Sequence, residues 1–85
     1  MPTTTAAAWD RLVLASPELR QYERSAEQAG RAKLRWWLRW AAACGALKFA
    51  IAATAAELNL PCDVVRDAVR DRLRAAFDHG LRSAG

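Results

Sequence analysis

Arginines recur at four-residue spacing in two places along this chain, as Arg31, Arg35 and Arg39 and again as Arg66, Arg70 and Arg74. On an α-helix that spacing aligns side chains along one face, so Arg31, Arg35 and Arg39 read as a basic stripe. Arg66, Arg70 and Arg74 share an outward face with Asp67 and Asp71 and read equally as a helix laced by arginine–aspartate pairs. A guanidinium offers a planar fork of donors that matches phosphate or carboxylate in bidentate fashion, so an acidic partner suits both. Arg24 extends the first stripe backwards, and Trp36, Trp37 and Trp40 interleave with it. Exposed tryptophan beside arginine is the composition of a binding hot spot, which makes Trp37, Trp40, Arg35 and Arg39 candidate partner-binding residues. Tryptophans at helical spacing also supply bulk to an alanine-rich core, and burial of at least two of the three is expected.

Other residues offer little for catalysis. His79 is the sole histidine and falls near a helix end, where it suits the negative end of the helix dipole better than the role of a base. Cys44 is expected to be buried, like most free cysteines. Cys62 is the more reactive candidate, because a helix N-terminus lowers a thiol's pKa. Asp63, Asp67 and Asp71 alternate with arginines and lack the glycine turn and spacing of a metal loop. No glycine-rich phosphate loop and no CxxC pair occurs. The expectation is a non-enzyme with no metal and no cofactor.

Eighty-five residues with net charge +4 make one small domain over residues 1–85, with both ends (1–5 and 81–85) expected to fray. A core of that size is marginal without a disulfide, a metal or a second subunit, which points to a homodimer. The arginine and alanine excess is also what a GC-rich genome would yield. The opening Met1-Pro2-Thr3-Thr4-Thr5 carries no charged leader, which leads to the expectation of a cytoplasmic protein. Trp40 to Ala56 is low in charge but too weakly apolar to suggest a membrane span.

No period-two run indicates a strand, so the fold class is all-α, a small bundle of three or four helices. A first helix spans about Thr5 to Ala15 with Trp9, Leu12 and Val13 inward. Ser16-Pro17-Glu18 marks the next start, with serine as N-cap and proline at the first helical position. Tyr22, Ala26, Ala29, Lys33, Trp36, Trp40, Ala43 and Leu47 follow a coiled-coil-like rhythm. An unbroken helix from Pro17 to Leu58 would reach about 63 Å, against a radius of gyration near 12 Å for a globule of this length. A break near Gly30 is therefore expected, with Arg31 to Leu58 intact. The last helix runs from about Pro61 to His79, burying Val65, Ala68, Val69, Leu73, Ala76 and Phe77, with Gly80 as its C-cap.

Within the hairpin expected over residues 51–78, the stretch 51–70 carries Ala55, Leu58, Leu60, Val65, Ala68 and Val69 in the order and spacing of a helix-turn-helix. Thr54 fits the position before the small residue. The stretch resembles the DNA-binding proteins of the phage-repressor type, with Asn59 where that family's turn usually has glycine and Pro61 in its capping slot. The resemblance implies a transcriptional regulator whose recognition helix spans Pro61 to Leu73. Arg66 and Arg70, with Arg74, would then meet bases or phosphates, supported by Arg31, Arg35 and Arg39. Asp63, Asp67 and Asp71 on the same helix repel phosphate, although an aspartate can accept from a cytosine amino group. The alternative function is a small adaptor or inhibitor that docks on an acidic surface of a larger complex. Membrane-surface binding ranks third, since acidic residues interrupt the cationic faces.

Overall fold

A computed structural model describes residues 4–84 of the chain, with side-chain placement from residue 9 onward. Among the described residues it contains five α-helices and no strand: α1 (Thr4–Ala15), α2 (Leu19–Arg31), α3 (Trp36–Ala43), α4 (Gly45–Leu58) and α5 (Cys62–Ala84). The all-α bundle is as expected. The helix number exceeds three or four because Arg31 to Leu58, expected to be continuous, is interrupted once more at Cys44.

The first interruption falls near Gly30, as expected: α2 closes at Arg31 and the chain reverses at Lys33. The Leu34 amide donates to the Ala29 carbonyl at 2.8 Å and the Lys33 amide to Gly30 at 3.0 Å. Lys33 itself takes a left-handed backbone, φ 59°. This is a Schellman end built without glycine, and it costs about 1–2 kcal/mol in local strain. Gly30 stays helical because it is needed elsewhere. A Cβ on Gly30 would collide with the carbonyl oxygen of Phe77 and lie 2.9 Å from the Leu81 nitrogen, and a Cβ on Gly80 would collide with the carbonyl oxygen of Glu27. The two helices therefore touch backbone to backbone. Gly80, expected as a C-cap, lies inside α5, and residues 81–84 continue the helix instead of fraying; 1–3 and 85 lie outside the described residues.

The second interruption is Cys44, whose extended backbone (ψ 118°) separates α3 from α4. The two helices meet at a bend of 56°; together they have the length and composition of a broken membrane span, but no single helix among the described residues is long and apolar enough to cross a membrane. These breaks fold a long segment into a body with radius of gyration 12.7 Å. They also end the coiled-coil rhythm: Ala26, Ala29 and Leu47 are buried, while Lys33, Trp36, Trp40 and Ala43 are exposed.

The helix α5 is the spine. Its stripe Val65, Val69, Leu73 and Phe77 is buried, with Ala68 and Ala76 half-buried at its edge. Glu23 meets Arg72 and Glu27 meets His79, so α2 and α5 advance in the same direction. Arg72 joins three helices: its Nε donates to Glu23 at 2.6 Å, and its guanidinium stacks 5.6 Å from the Trp9 ring. Trp9, Leu12 and Val13 of α1 are buried as expected. Ser16 does not cap α2. Its hydroxyl lies 2.6 Å from that of Thr54, which donates to the Ala50 carbonyl at 2.7 Å. Those two buried hydroxyls satisfy each other and tie the α1–α2 turn to α4.

Because backbone sits where a methyl would go, Gly30→Ala and Gly80→Ala should each lower the unfolding free energy by about 3 kcal/mol. At Gly45 an added methyl would meet nothing within 4 Å, so Gly45→Ala should be neutral or mildly stabilising. Urea unfolding followed by circular dichroism distinguishes these outcomes, and equal effects at all three glycines would contradict the close contact.

Candidate binding cleft

The α4–α5 junction turns sharply at Asn59, which adopts a left-handed backbone (φ 55°, ψ 46°), and the Leu60 amide donates back to Ala55 at 2.9 Å. Asparagine tolerates this conformation better than most residues, so the missing glycine is not an obstacle. Ala55, Val65 and Val69 are buried around the turn, with Leu58, Leu60 and Ala68 half-buried. The helix α5 then passes beside α3 and α4 and leaves a cleft of about 640 Å³ between them.

Each helix contributes a different chemistry to that cleft. Leu38 and Ala41 of α3, Leu47 and Ile51 of α4 and Leu73 of α5 give it an apolar floor. Lys48 from α4 and Arg66, Arg70 and Arg74 from α5 give it a basic rim, offset by Asp67 and Asp71. Arg66 Nε lies 3.3 Å from Asp67 Oδ1, and Arg74 Nε lies 3.5 Å from Asp78 Oδ1. Both pairs are solvent-exposed and hold their arginines weakly. Among the described residues, Arg70 and Lys48 form no ion pair within 4.0 Å.

Helical geometry separates the charges on α5. Its buried stripe sets the inward direction, and 3.6 residues per turn then puts Arg66 and Arg70 on the flank and Asp67 and Asp71 on the outermost side. The outermost side of this helix is therefore acidic, and Asp67 and Asp71 border the cleft together with Arg66, Arg70 and Arg74.

The two arginine triplets do not form one surface. Arg66, Arg70 and Arg74 line the cleft together, whereas Arg31, Arg35 and Arg39 do not. Arg31 closes α2 and lies 3.8 Å from Glu27, Arg35 precedes α3 and Arg39 lies exposed on α3, so the helix break dissolves the continuous stripe. The tryptophans are also redistributed. Trp37, expected at a partner interface, is 6% exposed and belongs to the core. Trp36 and Trp40 are the exposed ones, contrary to the expected burial of two of the three. Trp40 packs its ring 5.8 Å from that of Trp37 and borders a shallow hollow with Tyr22 and Ala46. Sequence reasoning missed Lys48 and the floor residues Leu38, Leu47 and Ile51. The one signal for them was a lysine standing alone in an alanine-rich stretch.

Cys62 is exposed at the start of α5, while half-buried Cys44 precedes α4. The amide of Leu47 holds the Cys44 thiol below its ordinary pKa against the opposing effect of burial, and the Tyr22 hydroxyl, 3.9 Å from Sγ, assists. Burial, followed by the contact with Cys44, raises the pKa of the Tyr22 phenol.

Comparison with protein-family models, with curated proteins and with solved structures gives no match.

In a Cys62→Ser variant, alkylation of Cys44 should follow a thiolate titration with its midpoint below that of free cysteine. Because the folded thiol has the lower pKa, its stabilising contribution is present above the unfolded-state value and is lost as pH falls through the folded one. A midpoint above that of free cysteine would mean that burial outweighs the Leu47 amide.

Proposed function

We propose that this protein is a small binding module whose cleft between α3, α4 and α5 takes an acidic amphipathic helix from a protein partner. The observation carrying this reading is the coincidence of an apolar floor with the unpaired cations Arg70 and Lys48. An amphipathic helix laid in a groove buries apolar anchors one turn apart and keeps its charged flank at the rim. Arg66, Arg70 and Arg74 recur every four residues, roughly 6 Å along the axis, which matches carboxylates one turn apart on a partner helix. The floor supplies affinity through burial, and the rim supplies selection and speed of encounter. This is the adaptor or inhibitor reading, with Arg66, Arg70, Arg74 and Lys48 as its recognition residues.

A second reading, a DNA-binding regulator of the helix-turn-helix kind, is favoured by the turn at Asn59 and by burial of Ala55, Val65 and Val69 around it. Against it weigh Asp67 and Asp71 on the outer side of α5, which a recognition helix would thrust towards phosphates. The peptide reading accounts for the basic rim and the apolar floor at once.

Fluorescence anisotropy with a labelled acidic amphipathic peptide and a labelled DNA duplex separates the two. Arg70→Glu should weaken peptide binding by about tenfold or more, as expected for a desolvated charge contact worth over about 1.4 kcal/mol. Tight duplex binding without peptide binding would support the regulator instead, especially if its salt slope fell by about one unit for each arginine removed.

A further inference from the structure

The shallow hollow beside Trp40 measures about 300 Å³ and is lined by Glu18, Gln21, Tyr22, Ser25, Trp40 and Ala46. None of these residues lines the cleft. Helical spacing puts Trp40 on the flank of α3 opposite Leu38, and Ala46 on the flank of α4 opposite Lys48. The hollow therefore opens away from the cleft. Glu18, Tyr22 and Ser25 recur at intervals of four and three residues and share one face at the start of α2. The Tyr22 hydroxyl, 3.9 Å from Cys44 Sγ, holds that face against the bend between α3 and α4.

Charge sets this hollow apart from the rest of the surface. The chain carries 13 lysines and arginines, yet none of them lines it. Glu18 is its one charged lining residue and, among the described residues, forms no ion pair within 4.0 Å. The side chains of Glu18, Gln21 and Ser25 also make no hydrogen bond among the described residues. Burial and the contact with Cys44 raise the Tyr22 phenol pKa, and the charge of Glu18 adds to that rise, so its field reaches the aromatic wall. Trp40 is 46% exposed, although its ring stands 5.8 Å from that of Trp37.

We infer that this hollow binds a guanidinium cation, held against Trp40 and Tyr22 and forked onto the Glu18 carboxylate. Aromatic rings attract cations through the negative charge of their faces, tryptophan most strongly. A guanidinium is planar, so it stacks on a ring and still presents paired donors to a carboxylate. Gln21 and Ser25 supply further acceptors, which favours a cation bearing N–H groups over a quaternary ammonium. The volume lies at the small end of ligand sites, suited to one side chain and not to a helix. Two sources present this group: an arginine displayed by a protein partner, or a free small molecule. The hollow selects the charge opposite to that drawn by the cleft, so the two sites do not compete for one ligand.

Two-dimensional NMR of the full chain, read at the Trp40 indole N–H and the Ala46 amide, tests this. The probes are N-acetylarginine amide, its neutral citrulline counterpart and tetramethylammonium. The arginine probe should shift both resonances saturably, with a dissociation constant on the order of 1 mM. The citrulline probe has nearly the same shape without the charge and should leave them in place. Glu18→Gln and, separately, Trp40→Ala should each raise the constant about threefold or more, while Trp40→Phe should keep most of the binding. The Ala46 amide reports in the Trp40 variants, and Glu18 is exposed, so its variant should keep the fold intact. Arg70→Glu should leave the constant unchanged, which keeps failure here distinct from failure of the cleft reading. An arginine-bearing peptide that binds at least about tenfold tighter than the free probe would support a protein source, and equal affinity a small molecule. Equal shifts from the citrulline probe, tighter binding of tetramethylammonium, or no saturable shift with any probe would overturn the inference. So would a constant indifferent to both Glu18→Gln and Trp40→Ala.

Discussion

The contact between Gly30 and Phe77, mirrored by that between Gly80 and Glu27, is the constraint around which the molecule is built. With no side chain in either gap, α2 and α5 approach as closely as two backbones allow. The close approach brings Glu23 to Arg72 and Glu27 to His79 and leaves Leu19, Val69 and Phe77 with almost no solvent contact. It also explains where α2 ends. Gly30 must remain helical to make the contact, so the chain reverses three residues later, at the expense of a left-handed lysine. Backbone strain is tolerated where surrounding packing holds it in place.

Once one side of α5 is taken by α2, the segment after Lys33 has only the other flank to cover. The extended Cys44 shortens α3 and redirects α4, which then runs into the turn at Asn59 and back into α5. Three short connections thus bend a low-charge stretch around a single helix without closing completely over it. What remains open is the cleft, apolar where α3 and α4 face α5 and cationic along its rim. The order of residues on α5 decides the sign of each surface. Arginines nearer the buried stripe and aspartates one position further round both border the opening, the aspartates on its outer side.

Periodicity made much of this legible. The inward residues of α1 and α5, the outward charges of α5 and the break around Asn59 follow directly from spacing and turn chemistry. The compactness argument also required an interruption between Pro17 and Leu58. Its place near Gly30 was legible, but the role of Gly30 was not, because a glycine reads equally as a helix breaker and as a point of close approach, and only the partner helix distinguishes them. The non-helical residues after Arg31 and the second break at Cys44 shifted the angular positions of everything from Arg31 to Ala43. Trp37 and Trp36 exchanged roles for this reason, and the first arginine stripe lost its continuity. Gly80 misled in the same way at the other end of the contact. Ser16 has the composition of a cap, yet its hydroxyl serves Thr54, a long-range pairing that local signals do not contain. Of the cleft, the arginines were visible in the sequence and the floor was not, since the floor exists only once α3 and α4 have folded back.

Amide chemical-shift mapping of the labelled protein during titration with an acidic amphipathic peptide tests the central claim most directly. The account predicts that the largest changes cluster at Leu38, Leu47, Lys48, Ile51, Arg70 and Leu73, with Asp63 and the α2–α5 glycine contact unaffected. Changes confined to Trp36, Trp40 and Phe49, or none at saturating peptide, would contradict it.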